Sequence, residues 1–222
     1  MLMTNTHAVI ILASGLSQRL GHSKQLLSKD NKPLIHYMLK LGLDTQPQTV
    51  VVVIPEHNQA IADAVSQLVA ANSNVTILCN QTPEMGMAHS LSLAIDALNS
   101  SNIDSSVKRV VIMGIDQFLL DERHLNELLI EQHFVVASRY AQLNRDFTID
   151  NSKLNIVGLP ITIDYELLKQ WQSALTGDKG LRHLIRGLKT EQISTVINQQ
   201  LSYDIDTPEQ LTYAKQQQWL DS

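Results

Sequence analysis

"HAVIILASGLSQRLGHSKQLL", His7–Leu27, is the stretch on which the fold turns. Its first part, Ala8 to Leu12, is a short apolar run rich in β-branched residues, with the length and composition of a buried strand. Small and polar residues follow, including Gly15, Gly21, Arg19 and Lys24, before apolar residues resume at Leu26. An ordinary turn is shorter and has no need of cations. The segment sits where a parallel strand would hand over to a helix.

Outward from this point, strand-like runs alternate with helix-like ones. Strands are expected at Ala8–Leu12, Val50–Ile54, Val75–Leu78, Val110–Met113, Val135–Ser138 and Ile193–Ile197. Between them, Ile61, Val65, Leu68 and Val69 recur at helical spacing, and Met87, Leu91, Ala94, Ile95 and Leu98 nearly repeat the pattern. Such alternation predicts a mostly parallel sheet with helices on both faces, an α/β architecture. Residues 1–222 are read as a single domain, the expected size for one α/β unit with a well-buried core. "NSSNIDSSVK", Asn99 to Lys108, reads as an exposed connection.

Composition narrows the partners. There are 17 Lys and Arg against 22 Asp and Glu, a net charge of -5, and no basic block interleaved with aromatics. No nucleic-acid partner is expected. The longest apolar runs, such as "TVVVVIP", have strand length and fall short of the roughly 18 residues that span a bilayer, so no membrane partner is expected either. One cysteine, Cys79, allows no internal disulfide and reads as a small core residue. Without a charged start leading into a long apolar stretch, a cytoplasmic location is expected.

Open parallel sheets bind ligands beyond the carboxyl ends of their strands, which directs attention back to the first loop. "GLSQRLGHSK" has neither the spacing of a dinucleotide fingerprint nor that of a P-loop. It still has what a triphosphate requires. Gly15 lets backbone N–H groups face a ligand, Ser14 and Ser17 add short donors, Arg19 can grip a phosphate bidentately, and Lys24 adds a point charge. On spacing alone, a solvated loop with cations facing water explains the same residues.

"LASGLSQRLGHSKQLL" resembles the opening signature Leu-Ala-Ala-Gly-x-Ser-x-Arg-Met-Gly-x-x-Lys of a nucleotidyltransferase family. Its "KQLL" ending is most similar to the molybdenum cofactor cytidylyltransferase branch. Ser14 and Leu20 stand where Ala and Met are usual. The resemblance implies a Rossmann-like, GT-A-like three-layer sandwich. It also implies that Ala13, Ser14, Gly15, Arg19 and Lys24 wrap the nucleoside triphosphate, with Arg19 and Lys24 acting in catalysis. Three later segments extend it along nearly the whole chain. "EMGMAHSLSLAI" matches a segment whose glycine and serine, here Gly86 and Ser90, lie beside base and ribose. "VVIMGIDQFLL" supplies Asp116 just past a strand, with Phe118 where proline is usual. "YDIDTPEQL" resembles the closing element, in which Asp206 pairs with Asp116 as a metal-holding carboxylate. Read without the resemblance, Asp204 and Asp206 would be turn residues before a helix that Thr207 caps and Pro208 opens.

The chemistry accounts for this set. A phosphate monoester has a second pKa of about 6, so an attacking acceptor phosphate needs no general base at neutral pH. The barrier lies in bringing anions together. Magnesium on one or two carboxylates, with Arg and Lys, lowers it by neutralisation and alignment, and Asp116 is therefore placed in the catalytic set. In "TGDKGLRHLI", Lys179 and Arg182 are candidate anchors for the acceptor, although a helix start with a charged face explains them equally. "VGLPITI" resembles a further acceptor segment, with Leu159 where histidine is usual. The implied reaction transfers CMP from CTP to a phosphorylated acceptor resembling molybdopterin, releases pyrophosphate, and hands its product to a molybdoenzyme. A guanylyltransferase of the same pathway, a sugar- or polyol-phosphate nucleotidyltransferase and a non-catalytic cofactor carrier are the alternatives.

Overall fold

The computed structural model describes residues 6–100, 107–144, 146–150, 152, 154–176 and 180–222. In chain order it contains β1 (His7–Leu12), a small antiparallel ribbon of β2 (Ser28–Lys29) and β3 (Lys32–Pro33), α1 (Leu34–Asp44), β4 (Thr49–Pro55), α2 (Gln59–Ala71), β5 (Val75–Asn80), α3 (Met87–Ser100), β6 (Arg109–Gly114), α4 (Glu122–Ile130), β7 (Val135–Tyr140), β8 (Ile156–Asp164), α5 (Tyr165–Trp171), α6 (Arg182–Arg186), β9 (Ile193–Ile197) and α7 (Pro208–Gln216). The main sheet has seven strands in the order β5-β4-β1-β6-β8-β7-β9. Six run one way, because β8 is antiparallel to both of its neighbours and every other pairing is parallel.

All six expected strands are present. The seventh, β8, grows out of "VGLPITI", which the sequence reading treated only as a substrate segment. It is inserted between β6 and β7, and the register of β7 shifts at Ala137/Ser138. A side-chain bond ties that bulge: Ser138 Oγ donates to the carbonyl of Pro160 at 2.6 Å, and His124 Nε2 lies 2.7 Å from Ser138 Oγ.

Strand alternation divides the core in two. From β1, Val9 and Ile11 join one cluster with residues of α1, α2, α4 and α7, while Ala8, Ile10 and Leu12 join another with α3, α5 and α6. Every residue of β1 and β6 is buried, as expected of central strands covered on both faces. The α2 stripe is confirmed by buried Ile61 and Val65.

Several local readings need correction. Cys79 is exposed near the end of the edge strand β5 rather than in the core, which on this face takes in Val75 and Ile77. Asn99 and Ser100 close α3 instead of opening a loop, and residues 101–106 of that stretch lie outside the described residues. Phe118, in the usual place of proline, is 1% exposed and packs toward Trp219 with ring centroids 6.2 Å apart. Trp219 had no readable role in the sequence; it joins the end of the chain to this core. No helix among the described residues is long and apolar enough to cross a membrane.

Candidate active site

The site lies along the carboxyl edge of the parallel strands. Beyond β1, residues 13–23 form an irregular loop in which Ser17 takes a positive φ of 52° and accepts backbone bonds from Leu20 and Gly21. Gln25, 1% exposed, holds this loop from beneath. Its Nε2 donates to the carbonyls of Ala13 at 2.6 Å and Gly15 at 3.1 Å. The sequence reading passed over this glutamine, although it stands beside Lys24 in the motif.

Across from the loop, Gly86 adopts φ 87°, ψ −177°, a region open in practice to glycine alone, and α3 begins at the next residue. Ser90 in the first turn is buried, with its Oγ 2.6 Å from Ser14 Oγ and accepting from Asn80 Nδ2 at 3.1 Å. Asn80, the last residue of β5, is fully buried, and its Oδ1 also takes the N–H of Thr82. Ser14 and Ser90, distant in sequence, thus form one hydroxyl pair. A cavity of about 160 Å³ is lined by Ser14, Gly15, Ser17, Lys24, Gly86, Ser90 and Asp116.

Asp116 follows β6. Its carboxylate folds back over Gly114, where an added Cβ would lie 2.8 Å from Asp116 Oδ1. Gln117 stitches this turn to β8 by accepting from Gly114 N and donating to the carbonyl of Leu159 at 2.5 Å. Asp206 precedes α7, whose start has the expected form: Thr207 caps it, Pro208 opens it, and Gln210 completes a capping box. The 3-10 turn Gln199–Ser202 is held to the end of β7 by Ser202 Oγ donating to the carbonyl of Ala141.

These two distant aspartates meet at one ammonium. Lys24 Nζ, on a side chain only 11% exposed, lies 2.5 Å from Asp206 Oδ1 and 3.6 Å from Asp116 Oδ2. Arg19, mostly solvent-exposed, binds the other Asp206 oxygen at 2.7 Å. Burial raises Asp206, but the hydrogen bond and charge of Lys24, with Arg19, outweigh it and hold the carboxyl below its ordinary value. Asp204 behaves oppositely. Burial first, then the charges of Asp116 and Asp206, push it up to about 6. Sequence reading had treated Asp204 as a turn residue; its carboxylate accepts from Gln210 and belongs to the same cluster.

Three carboxylates therefore face two cations, one of them exposed. This donor set fits a divalent ion of the magnesium type, which takes one or two carboxylates and draws its remaining ligands from phosphates and water. Among the described residues, no group of three or more His, Cys, Asp or Glu is arranged to hold a metal unaided.

On the other side of Asp116 two further cavities open. One, of about 320 Å³, is lined by Asp116, Gln117, Tyr140, Leu159, Arg182 and Asp204 among others. A second, of about 780 Å³, shares Tyr140, Arg182 and Asp204 and adds Arg19, Gln142, Asn155 and Arg186. Arg182 is thus brought to the site, whereas Lys179 lies outside the described residues. Tyr140 and Arg186 had no signal beyond position: Tyr140 ends β7, on the edge where parallel sheets carry ligands.

Known proteins share this fold. Solved structures of similar fold include a nucleotidyl transferase from Methanothermobacter thermautotroptrophicus, Mth528, at 15% identity and a TM-score of 0.71, covering 96% of this chain and 98% of that one. Rv0371c from Mycobacterium tuberculosis, described as a complex with manganese, matches at 17% identity and a TM-score of 0.65 over 94% and 97% of the two chains. The 4-diphosphocytidyl-2C-methyl-D-erythritol synthase of Anaerococcus prevotii matches at 12% identity and a TM-score of 0.69 over 96% of each. No curated sequence matches the chain. The model of the MobA-like NTP transferase domain matches residues 9–194, from β1 into β9 and across the loop, Gly86, Ser90 and Asp116. With a model that spans most of its length, the chain belongs to the MobA-like NTP transferase domain family and is a nucleotidyltransferase.

Proposed function

We propose that the protein transfers CMP from CTP to the phosphate of an acceptor resembling molybdopterin, with magnesium as the metal and pyrophosphate as the second product. One observation carries this reading: Asp116 lines both the small cavity under the phosphate loop and the larger cavity opposite, so the chemistry has a side for each substrate. In this scheme the triphosphate lies against Ala13, Ser14, Gly15 and the Gly86 turn, with Arg19 and Lys24 on its phosphates. The acceptor phosphate approaches from the side of Arg182, with Lys179 as a further anchor. A magnesium ion on Asp116 and Asp206 would supply charge neutralisation for the phosphates.

Each residue has a definable part. Lys24, largely withdrawn from water, has two carboxylates to compensate it and can follow the charge that develops on the phosphates. Gly86 permits close backbone approach, and the Ser14–Ser90 pair offers hydroxyls at the cavity floor. No proton need be abstracted, because the attacking phosphate is already ionised at neutral pH. The "KQLL" ending favours CTP over GTP, and the cavity of about 780 Å³ beside Arg182 leaves room for an acceptor of molybdopterin size.

The test is a matrix of the four ribonucleoside triphosphates against molybdopterin, a polyol phosphate and glucose 1-phosphate, with pyrophosphate as readout. Release that is strongest with CTP and molybdopterin is expected. Equal or better turnover with GTP at subsaturating concentration would move the protein to the guanylyl alternative, preference for a polyol or sugar phosphate would reassign the acceptor, and no release in any well would leave a carrier.

A further inference from the structure

Tyr140 is the one aromatic side chain among the described residues that lines both acceptor-side cavities. Its ring packs on the core cluster beneath the sheet, while the hydroxyl reaches the cavity beside Gly158; an added Cβ there would stand 3.6 Å from Tyr140 Oη. Asp116, Asp204 and Arg182 all act on this hydroxyl electrostatically, so it stands among the charged groups of the site. Among the described residues none takes a hydrogen bond from it, in contrast to Tyr37, whose hydroxyl donates to the carbonyl of Leu120 at 2.8 Å, and Tyr165, whose hydroxyl donates to Asn99 at 2.9 Å. A partly buried phenol normally finds a partner.

We infer that the Tyr140 hydroxyl is an acceptor-binding group, donating a hydrogen bond to a non-attacking oxygen of the acceptor's phosphate and, with Arg182, aiming that phosphate at the donor side. The inference rests on the nucleotidyl-transfer reading above. In the step itself, one acceptor phosphate oxygen forms a bond to the α-phosphorus. The bond from that phosphorus to the oxygen bridging to the β-phosphate breaks, and pyrophosphate leaves with the electron pair. Tyr140 keeps its proton throughout, since a phenol has an ordinary pKa of about 10 and remains a donor at neutral pH. Arg182 supplies the charge for the acceptor phosphate, and the neutral phenol adds a directed hydrogen bond to it.

The test is Tyr140→Phe, which removes one oxygen and leaves the ring in the core. With CTP and molybdopterin, or whichever pair the matrix identifies, the acceptor KM is expected to rise roughly tenfold, the scale of one hydrogen bond to a charged group, while the triphosphate KM and the melting temperature stay unchanged. Gly158→Val, which crowds the hydroxyl with branched carbon, should impair acceptor use in wild type more than in the Tyr140→Phe background. Unchanged acceptor KM in Tyr140→Phe, or an equal rise in both KM values, overturns the role of Tyr140 while leaving nucleotidyl transfer in place. Absence of transfer by wild type with every pair removes both.

Discussion

The donor cavity is framed chiefly by the loop after β1, the start of α3 and the end of β6, whereas the acceptor cavities draw mainly on β7, β8, α6 and the segment before α7, with Arg19 of the loop and Met87 and Leu91 of α3 at their borders. On the donor side, backbone does most of the work. Gln25 pins loop carbonyls, Gly86 holds a conformation closed to other residues, and buried hydroxyls meet at 2.6 Å. On the acceptor side, isolated side chains of different elements converge, and the bonds around Ser138, Pro160 and Gln117 add to the strand ladders that hold them. A polyphosphate presents the same oxygens in every triphosphate, so a fixed backbone cradle suits it. Acceptors differ, and a wall built from separate side chains can change one contact at a time.

The largest expected effect belongs to the group that serves both sides. Asp116→Asn keeps shape but removes one negative charge, and turnover should fall roughly 10²-fold or more, the scale of losing one electrostatic stabiliser. Asp206→Asn should do the same, with a weakened magnesium dependence, and the pair should lose far less than the product of the single losses. Near-normal turnover in Asp206→Asn would reduce it to the helix-start role that its sequence context also allows.

Gly114→Ala asks whether the position of Asp116, rather than its mere presence, matters. The new methyl would meet Asp116 Oδ1 at 2.8 Å, and pushing the carboxylate aside should cost roughly 10- to 100-fold in turnover while the fold survives. Activity equal to wild type would mean that Asp116 has more freedom than the joined-cavity picture permits.

A third comparison concerns stability. Burial, opposed by the charges of Asp121 and Glu127, holds His124 below its ordinary value, and this histidine lies under the acceptor side against Ser138. The folded state therefore binds fewer protons than the unfolded chain. Its contribution is intact above the unfolded pKa of about 6.5 and is lost as pH falls below it. Melting temperature should drop on acidification through that window, and His124→Gln should flatten the drop. An unaltered acid limb in the variant would place the titrating group elsewhere.

The smallest effect is expected on the donor rim. Leu16 is 47% exposed and touches neither phosphate group nor carboxylate in the scheme, so Leu16→Ala should change turnover by less than about twofold. A loss comparable to that of Lys24→Ala would mean that the loop is not organised around its cations.

The difference between the sides also explains what the sequence made legible. Ala13 to Lys24 stood out because a backbone cradle writes itself as glycines, small residues and cations at short spacing, while a nucleotide role for them, as for Gly86 and Ser90, came from the family resemblance. β8 escaped notice because its alternation is broken by Gly158 and Pro160, and because an antiparallel insertion leaves no helical signal before it. Tyr140 and Gln117 gain their meaning from groups far along the chain, Arg182 and Asp204 beside the one and the carbonyl of Leu159 bound by the other. Asp204 was visible but ambiguous: a carboxylate three residues before a capping threonine reads as a turn until Asp116 is seen beside it.

The central claim, that one cavity takes the triphosphate and the other the acceptor, is tested most directly by measuring both KM values in Lys24→Ala and Arg182→Ala. The account predicts a crossed pattern. Lys24→Ala raises the triphosphate KM and lowers kcat, whereas Arg182→Ala raises the acceptor KM and leaves the triphosphate KM at its wild-type value. An Arg182→Ala variant whose triphosphate KM rises as much as its acceptor KM would contradict it.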